Sequence, residues 1–218
     1  RKDLQFLEDS RLLFRTHGGA TRHNPYQTDR PVNEKEKIHE AEKIEIAKVA
    51  SSLVNENDSI IIGSGTTTQF LAREIMPQGN ITVVTSALNV TLELLKHKNV
   101  DVIQLGGLVR HTSSSVVGQY ADGILDNFFC SKLFLGVDGV DLEYGISTTS
   151  AQEAMLNQKM IAVAQKVIVL ADSSKFGRKS FGKIADFSRI DTIISDDIPK
   201  DYLTHFDTLG IETIVCGK

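Results

Sequence analysis

The sequence predicts an α/β fold, a mostly parallel sheet with helices on both faces. Two observations carry this. From Glu34 onward, segments of strand length alternate with segments of helical period. The strand segments are short and apolar, and most are separated by a helical stretch, the pattern of parallel strands covered on both sides.

Taken in order, Ile38, Ala41, Ile44, Ala47, Ala50 and Leu53 lie three apart and predict one long first helix. The charges it carries, Glu34, Lys35, Glu36, Lys37, Glu40, Glu42 and Lys43, read as a solvated face with i,i+4 pairs. Strands follow at Ser59–Ile62, Ile81–Thr85, Val100–Leu105, Leu133–Val137, Val167–Ala171, Thr192–Ser195 and Thr213–Cys216. Helical stretches run over Leu88–Lys98, Gly118–Phe129, Ala151–Gln165 and Lys200–Leu209. In such sheets ligands bind beyond the carboxyl ends of the strands, so the residues just after each strand are the candidates for function.

The most informative of these is Gly63-Ser64-Gly65-Thr66-Thr67-Thr68, between the Ile60–Ile62 run and the helical pattern Gln69–Ile75. Glycines let the backbone approach a ligand, and a helix start presents unpaired N–H groups to it. With added threonine hydroxyls, Ser64, Gly65, Thr66 and Thr67 form a candidate phosphate cradle. A Walker A loop would require a lysine after the last glycine, and none occurs before Lys96. The dinucleotide fingerprint would require a third glycine near Thr68, so neither ATP nor NAD is supported and no cofactor is expected. A monophosphate needs less. At roughly 1.5–3 kcal/mol per hydrogen bond to a charged group, three or four donors approach the ~8 kcal/mol of micromolar binding. The competing reading is an ordinary tight strand-to-helix turn.

Composition narrows the classes. The 218 residues suffice for one sizeable core and a small appendage, with 41% apolar and 24% charged residues. A net charge of −4 gives no global attraction to nucleic acid or anionic membrane. Cys130 and Cys216 sit among apolar neighbours and read as buried free thiols of a reducing compartment, so a cytoplasmic location is expected. Neither a signal peptide nor a membrane-spanning run is recognised, and the absence of an initial Met leads us to expect a segment upstream. Histidines 17, 23, 39, 97, 111 and 205 lack metal-ligand spacing, and no metal is expected. Residues 1–23 hold Arg1, Lys2, Arg11, Arg15 and Arg22 against Asp3, Glu8 and Asp9, a local basic excess; Thr21–Pro31 is polar and suits a linker.

Arg1-Lys2-Asp3-Leu4 and Leu12–Ala20, with its His17-Gly18-Gly19, resemble the end of the winged helix-turn-helix in DeoR-family transcriptional regulators. The rest resembles that family's effector-binding domain. The matching motifs are Gly63–Thr68, Thr85-Ser86, Leu105-Gly106-Gly107, Gly136–Val140, Gly145–Ser147, Glu153-Ala154 and Ala171–Gly177. The resemblance implies a bacterial regulator, in which a domain with the ribose-5-phosphate isomerase (Rossmann-like) fold senses a phosphorylated sugar. It implies residues 1–20 as the truncated end of the DNA-binding domain, with Arg1, Lys2, Arg15 and His17 as its remnant; 21–33 as linker; and 34–218 as effector domain. Operator DNA would be bound through the intact N-terminal domain, and a dimer or tetramer is expected because such regulators pair on two half-sites. The family commonly has Asp where Gly63 stands and Asn where Ser86 stands, which puts the choice of sugar in question.

Each remaining candidate has a plainer alternative. Asp138, at a strand end beside Gly139, suits sugar hydroxyls or a simple Asp-Gly turn. Lys175 could serve the phosphate, a role that comes from the resemblance, or be a solvated loop lysine. Thr85 and Ser86 offer hydroxyls to a sugar or start the next helix. Gly106 and Gly107 permit close approach or only turn the chain, and Arg110 is a possible second phosphate contact. Glu153 suits a helix start without a ligand, while the related isomerase fold puts a glutamate near this helix at the pocket border.

Three functions compete: a ligand-gated regulator, a phosphosugar isomerase, and an oligomerisation domain with no small ligand. Isomerisation needs a positioned base and polarising groups. By resemblance it calls for Asp-Gly-Ala-Asp and a Lys-Gly-Gly-Gly loop. Asp138-Gly139-Val140-Asp141 matches the first in part, whereas Tyr144-Gly145-Ile146-Ser147 lacks the lysine. The regulator is the expectation.

Overall fold

The computed structural model describes residues 14–16, 19–21 and 31–217. Arg1, Lys2 and His17 lie outside the described residues, and of Arg15 only the backbone is described. Strands β1 (Phe14–Thr16) and β2 (Gly19–Thr21) form an antiparallel hairpin pairing Arg15 with Ala20.

The body is a seven-stranded parallel sheet. Its strands are β3 (Ser59–Ile62), β4 (Ile81–Thr85), β5 (Val100–Gln104), β8 (Cys130–Gly136), β11 (Ala164–Leu170), β13 (Thr192–Ser195) and β14 (Glu212–Val215), in the spatial order β14-β13-β11-β8-β3-β4-β5. The order runs outward from β3 in one direction through β4 and β5. It then returns to place β8 on the other side of β3, so the switch point lies between β3 and β8.

Strand alternation divides the core. Ile60, Ile62, Phe134, Ile168, Leu170 and Ile194 point to one face, with α2 (Glu40–Ser51), α3 (Thr66–Glu74) and α4 (Leu88–Leu94) supplying Ile46, Leu71 and Val90 against them. Ile61, Leu133, Leu135, Val167, Val169 and Ile193 point to the other. There α5 (Gln119–Leu125), α6 (Ala151–Ala162) and α7 (Lys200–Leu209) supply Leu125, Met160 and Phe206. Both cysteines are buried and free.

The expected single first helix is two: α1 (Val32–Glu36) and α2, separated by a bend in which His39 takes the left-handed conformation (φ 54°). Its charges are not a uniformly solvated face either. Lys43 is 3% exposed and donates to the carbonyls of Lys35 (2.5 Å) and Ile38 (2.6 Å), fastening the bend. The helix expected over Ala151–Gln165 ends at Ala162, and β11 begins at Ala164, pairing with Cys130 of β8.

Two small sheets were not anticipated. β6 (Leu108–Arg110) and β7 (Ser115–Val117) form a hairpin. β9 (Gly139–Asp141), β10 (Gly145–Thr148) and β12 (Gly182–Ala185) form an antiparallel sheet in the order β12-β10-β9, just after the carboxyl end of β8. Glycine makes the latter possible. A Cβ on Gly145 (φ 83°) would sit 2.2 Å from the Ala185 carbonyl oxygen, and one on Gly139 2.5 Å from that of Arg178.

Candidate functional site

The site forms where β3 and β8 diverge, the place at which an open parallel sheet leaves a crevice. After β3 the chain turns through Gly63, whose N–H donates to the Phe134 carbonyl at 2.9 Å. Gly65 has φ 136° and ψ 168° and caps α3 with no side-chain hydrogen bond. The first backbone bond of that helix runs from Gln69 to Gly65, at 3.1 Å. The N–H groups of Thr66, Thr67 and Thr68 are therefore left over at the helix start. Thr68 spends its hydroxyl on the Gly65 carbonyl (3.0 Å). Among the described residues, the Ser64, Thr66 and Thr67 hydroxyls have no hydrogen-bond partner, although Thr66 and Thr67 are buried. The turn lies directly on β8: a Cβ at Gly136 would be 3.4 Å from the Ser64 carbonyl oxygen.

Two residues beyond Gly136, Asp138 is the electrostatic centre of the crevice. Its Oδ1 pairs with Lys35 Nζ at 3.0 Å. Its Oδ2 accepts from the Thr148 hydroxyl at 3.0 Å and the Thr149 N–H at 3.2 Å. Burial alone would raise its pKa, but the Lys35 and Lys175 ammoniums and these hydrogen bonds outweigh it and hold the carboxyl down at about 2. Asp138, expected to serve sugar hydroxyls or an Asp-Gly turn, is thus a carboxylate that the protein itself already engages. Lys175 follows β11 in a 3₁₀ turn, is 21% exposed and lies 3.8 Å from Asp172 Oδ2. That oxygen is buried and accepts no hydrogen bond. Lys43 completes the group. Burial, aided by Lys175 and Lys35, pushes its pKa down to about 8 against the opposing pull of Asp172 and Glu36.

A second cluster adjoins the first through Thr148. Its hydroxyl lies 3.5 Å from Glu153 Oε2, while Ser115 donates to Oε1 at 3.2 Å. Arg110 stands with Nε 3.6 Å from Glu153 and donates to Ser150 (2.5 Å) and Thr112 (3.1 Å). Ser150 caps α6 by accepting from the Glu153 N–H, so Glu153 combines a helix-start position with the Arg110 contact.

Of the other candidates, Thr85 and Gly107 take structural posts. Thr85 is fully buried, donates to the Ile62 carbonyl at 2.7 Å and accepts from the Ala87 N–H at 3.1 Å, which leaves its hydroxyl occupied by protein. Ser86 is buried with no side-chain partner among the described residues, and its carbonyl accepts from Val116. Gly106 and Gly107 are exposed in the turn before β6. Gly107 has φ 148°, and a Cβ there would lie 2.8 Å from the Val117 carbonyl oxygen. The turn explains Gly107, whereas nothing lies within 4 Å of a Cβ at Gly106.

Sequence reasoning missed Lys35 as a site residue. It also missed Lys43, Thr148 and Thr149. The glycines of β9, β10 and β12 were the available sign that Thr148 and Thr149 sit on a folded platform and not in a loose loop. A cleft lined by Ser51, Val54, Ile75 and Pro77 lies at the far end of α3 from Thr66, and has no part in the crevice.

The carboxyl ends of β3, β8 and β11 thus carry the backbone donors at the start of α3, the Asp138 carboxylate and the Lys175 ammonium. Comparison with known proteins gives the class. The family model described as the DeoR C terminal sensor domain matches residues 38–197, and the chain belongs to that family. It is 39% identical over 221 residues to an Escherichia coli O157:H7 protein whose name assigns it to repression of the aga operon, covering 100% of this chain and 82% of the relative. It is 31% identical to the transcriptional repressor GlcR of Bacillus subtilis, covering 99% and 83%. Against the regulator GlpR of Haloferax volcanii the identity is 33%, covering 100% and 85%. Among solved structures, ribose 5-phosphate isomerase from Methanocaldococcus jannaschii matches with a TM-score of 0.47 at 17% identity, covering 65% of this chain and 56% of the isomerase.

Proposed function

We propose that this chain is a DeoR-type transcriptional repressor whose sensor domain binds a phosphorylated sugar and thereby alters its hold on operator DNA. The observation that carries the reading is the set of unspent donors at Thr66–Thr68 after β3, with Asp138 after the neighbouring strand β8 and Lys175 after β11 beside it. The phosphate takes the N–H groups of Thr66 and Thr67, the hydroxyls of Ser64, Thr66 and Thr67, and the charge of Lys175. The sugar lies toward Asp138, Ser86, Arg110 and Glu153. Names given to relatives, repressors of the aga operon and GlcR among them, support the regulatory half.

Residues 1–20 are read as the end of a winged helix-turn-helix, 21–33 as linker and 34–218 as the effector domain. The β1–β2 hairpin supports the wing assignment. The start of α1 at Val32, whose N–H donates to the Thr112 carbonyl at 2.7 Å, ties the last linker residues to the sensor. The protein works as a homo-oligomer on paired half-sites. Isomerase chemistry is disfavoured because the β9–β10 turn, Leu142-Glu143-Tyr144, carries no lysine.

Calorimetric titration tests this with glucose 6-phosphate, fructose 1-phosphate, fructose 6-phosphate and glycerol 3-phosphate, each beside its unphosphorylated counterpart. One phosphorylated member is expected to bind at micromolar Kd and its counterpart not. Thr66→Val combined with Lys175→Ala should weaken that binding at least tenfold; unchanged affinity would refute the site. Turnover of ribose 5-phosphate would replace the sensor by the enzyme.

A further inference from the structure

Lys35 reaches Asp138 from 103 residues away in sequence, and it comes from α1, the short helix that leads into the sensor. Three anchors hold that helix over the crevice. The Val32 N–H bonds the Thr112 carbonyl at 2.7 Å, beside the Arg110 cluster. Glu36 pairs with Arg73 of α3 at 2.8 Å. Lys43 holds the carbonyls of Lys35 and Ile38. Asp138 in turn is engaged by protein on both oxygens, Lys35 on Oδ1 and Thr148 and Thr149 on Oδ2. A ligand hydroxyl that takes the position of the Lys35 ammonium on Oδ1 must dislodge it.

We propose that Lys35 is a resident cation which a bound polyhydroxylated phosphate displaces from Asp138, so that α1 (Val32–Glu36) is the element that reports occupancy to the chain upstream. This rests on the sugar-phosphate reading above and adds its coupling step. A ligand hydroxyl in that position and a seated Lys35 exclude one another, so ligand favours the state in which α1 has lost this tie to the crevice. The Lys35–Asp138 pair is partly exposed, with side chains 28% and 21% accessible, so solvent screens it in part. The latch is therefore set to yield to a ligand of ordinary affinity. Its removal should tighten binding by roughly two- to fivefold, because the competent state no longer has to be released first.

Hydrogen exchange of the amides of residues 34–38, read by mass spectrometry beside the titrations above, tests this on wild type, Lys35→Met and Lys35→Arg. These amides bond within the α1 bend: Glu34 and Lys35 to the Pro31 carbonyl, Ile38 to that of Lys35. The expected result has three parts. The bound panel member speeds exchange at 34–38 in wild type without altering α2. Lys35→Met exchanges fast there with no ligand and binds that member two- to fivefold tighter. Lys35→Arg behaves as wild type. Full protection of 34–38 in ligand-free Lys35→Met overturns the latch. So does weaker binding by Lys35→Met, which would make Lys35 a direct ligand contact. Binding heat in wild type with no change in exchange sinks this proposal alone, whereas the absence of heat from every panel member sinks it together with the sugar-phosphate reading.

Discussion

Thr85 and Asp138 are both polar residues at strand ends, yet the structure gives them opposite work. The Thr85 hydroxyl ties β3 to β4 and satisfies the Ala87 N–H. Thr85→Val should leave two buried groups without partners and cost about 1–3 kcal/mol in urea unfolding, with ligand affinity unaltered. A stable variant with lost affinity would return Thr85 to the binding site. Asp138 instead carries a pH signature. Its carboxyl titrates at about 2 in the fold against an ordinary 3.8, so it contributes on the order of 2 kcal/mol that is fully present above pH 4 and fades as pH falls toward 2. The stability gap between wild type and Asp138→Asn should narrow across that window. Lys43 is also lowered, but there it is the charged form that the fold disfavours. Its proton leaves the folded protein at about 8 but the unfolded chain near 10.5. Stability relative to Lys43→Met is therefore expected to rise with pH between those values, where an ordinary paired lysine would lose it.

At the scale of elements, the parallel strands and the glycine turn were legible, and the accessory parts were not. β3, β4, β13 and α7 have the bounds that apolar runs and helical period predict, because each buries a face long enough to show its period. β6, β7 and β9 have three residues each, too few to display an alternation, and β10 and β12 have only four. Their pairing is fixed by backbone contact at glycines, which leaves no hydrophobic pattern. The α1–α2 bend was hidden for a different reason. A Glu-Lys-Glu-Lys run looks solvated until tertiary structure brings Asp138, Arg73 and the Lys43 ammonium against it. The glycine account makes a prediction of its own. Gly145→Ala puts a methyl where the Ala185 carbonyl stands and fills a positive φ, so it should destabilise by more than about 3 kcal/mol in thermal or urea unfolding. Gly177→Ala, also at positive φ (74°) but with open space around it, should cost only about 1 kcal/mol.

For the whole molecule, the sheet order matters more than any single residue, since it brings a turn from residues 63–65 and a carboxylate at 138 to one crevice. If the crevice governs DNA affinity, a coupling of about 1–3 kcal/mol shifts operator binding some 5–150-fold. Fluorescence anisotropy with labelled operator, with and without the bound sugar phosphate, reads that shift. By thermodynamic reciprocity operator DNA must change the affinity for the sugar by the same factor, and unequal factors would rule out simple two-state coupling. Sedimentation velocity should find the protein self-associated at micromolar concentration.

The three N–H groups at the head of α3 belong to the main chain, and Gly65 frames them without contributing a side chain. No exchange of one amino acid for another deletes such donors; only proline, or a shift of the whole turn, can. If an anion sits there as proposed, selection for a new metabolite has little purchase on its seat and acts on the rim, where Ser86 and Glu153 can be traded. A gene duplicate that acquires a different taste would keep grasping the phosphate as its ancestor did and revise only what it reads of the sugar.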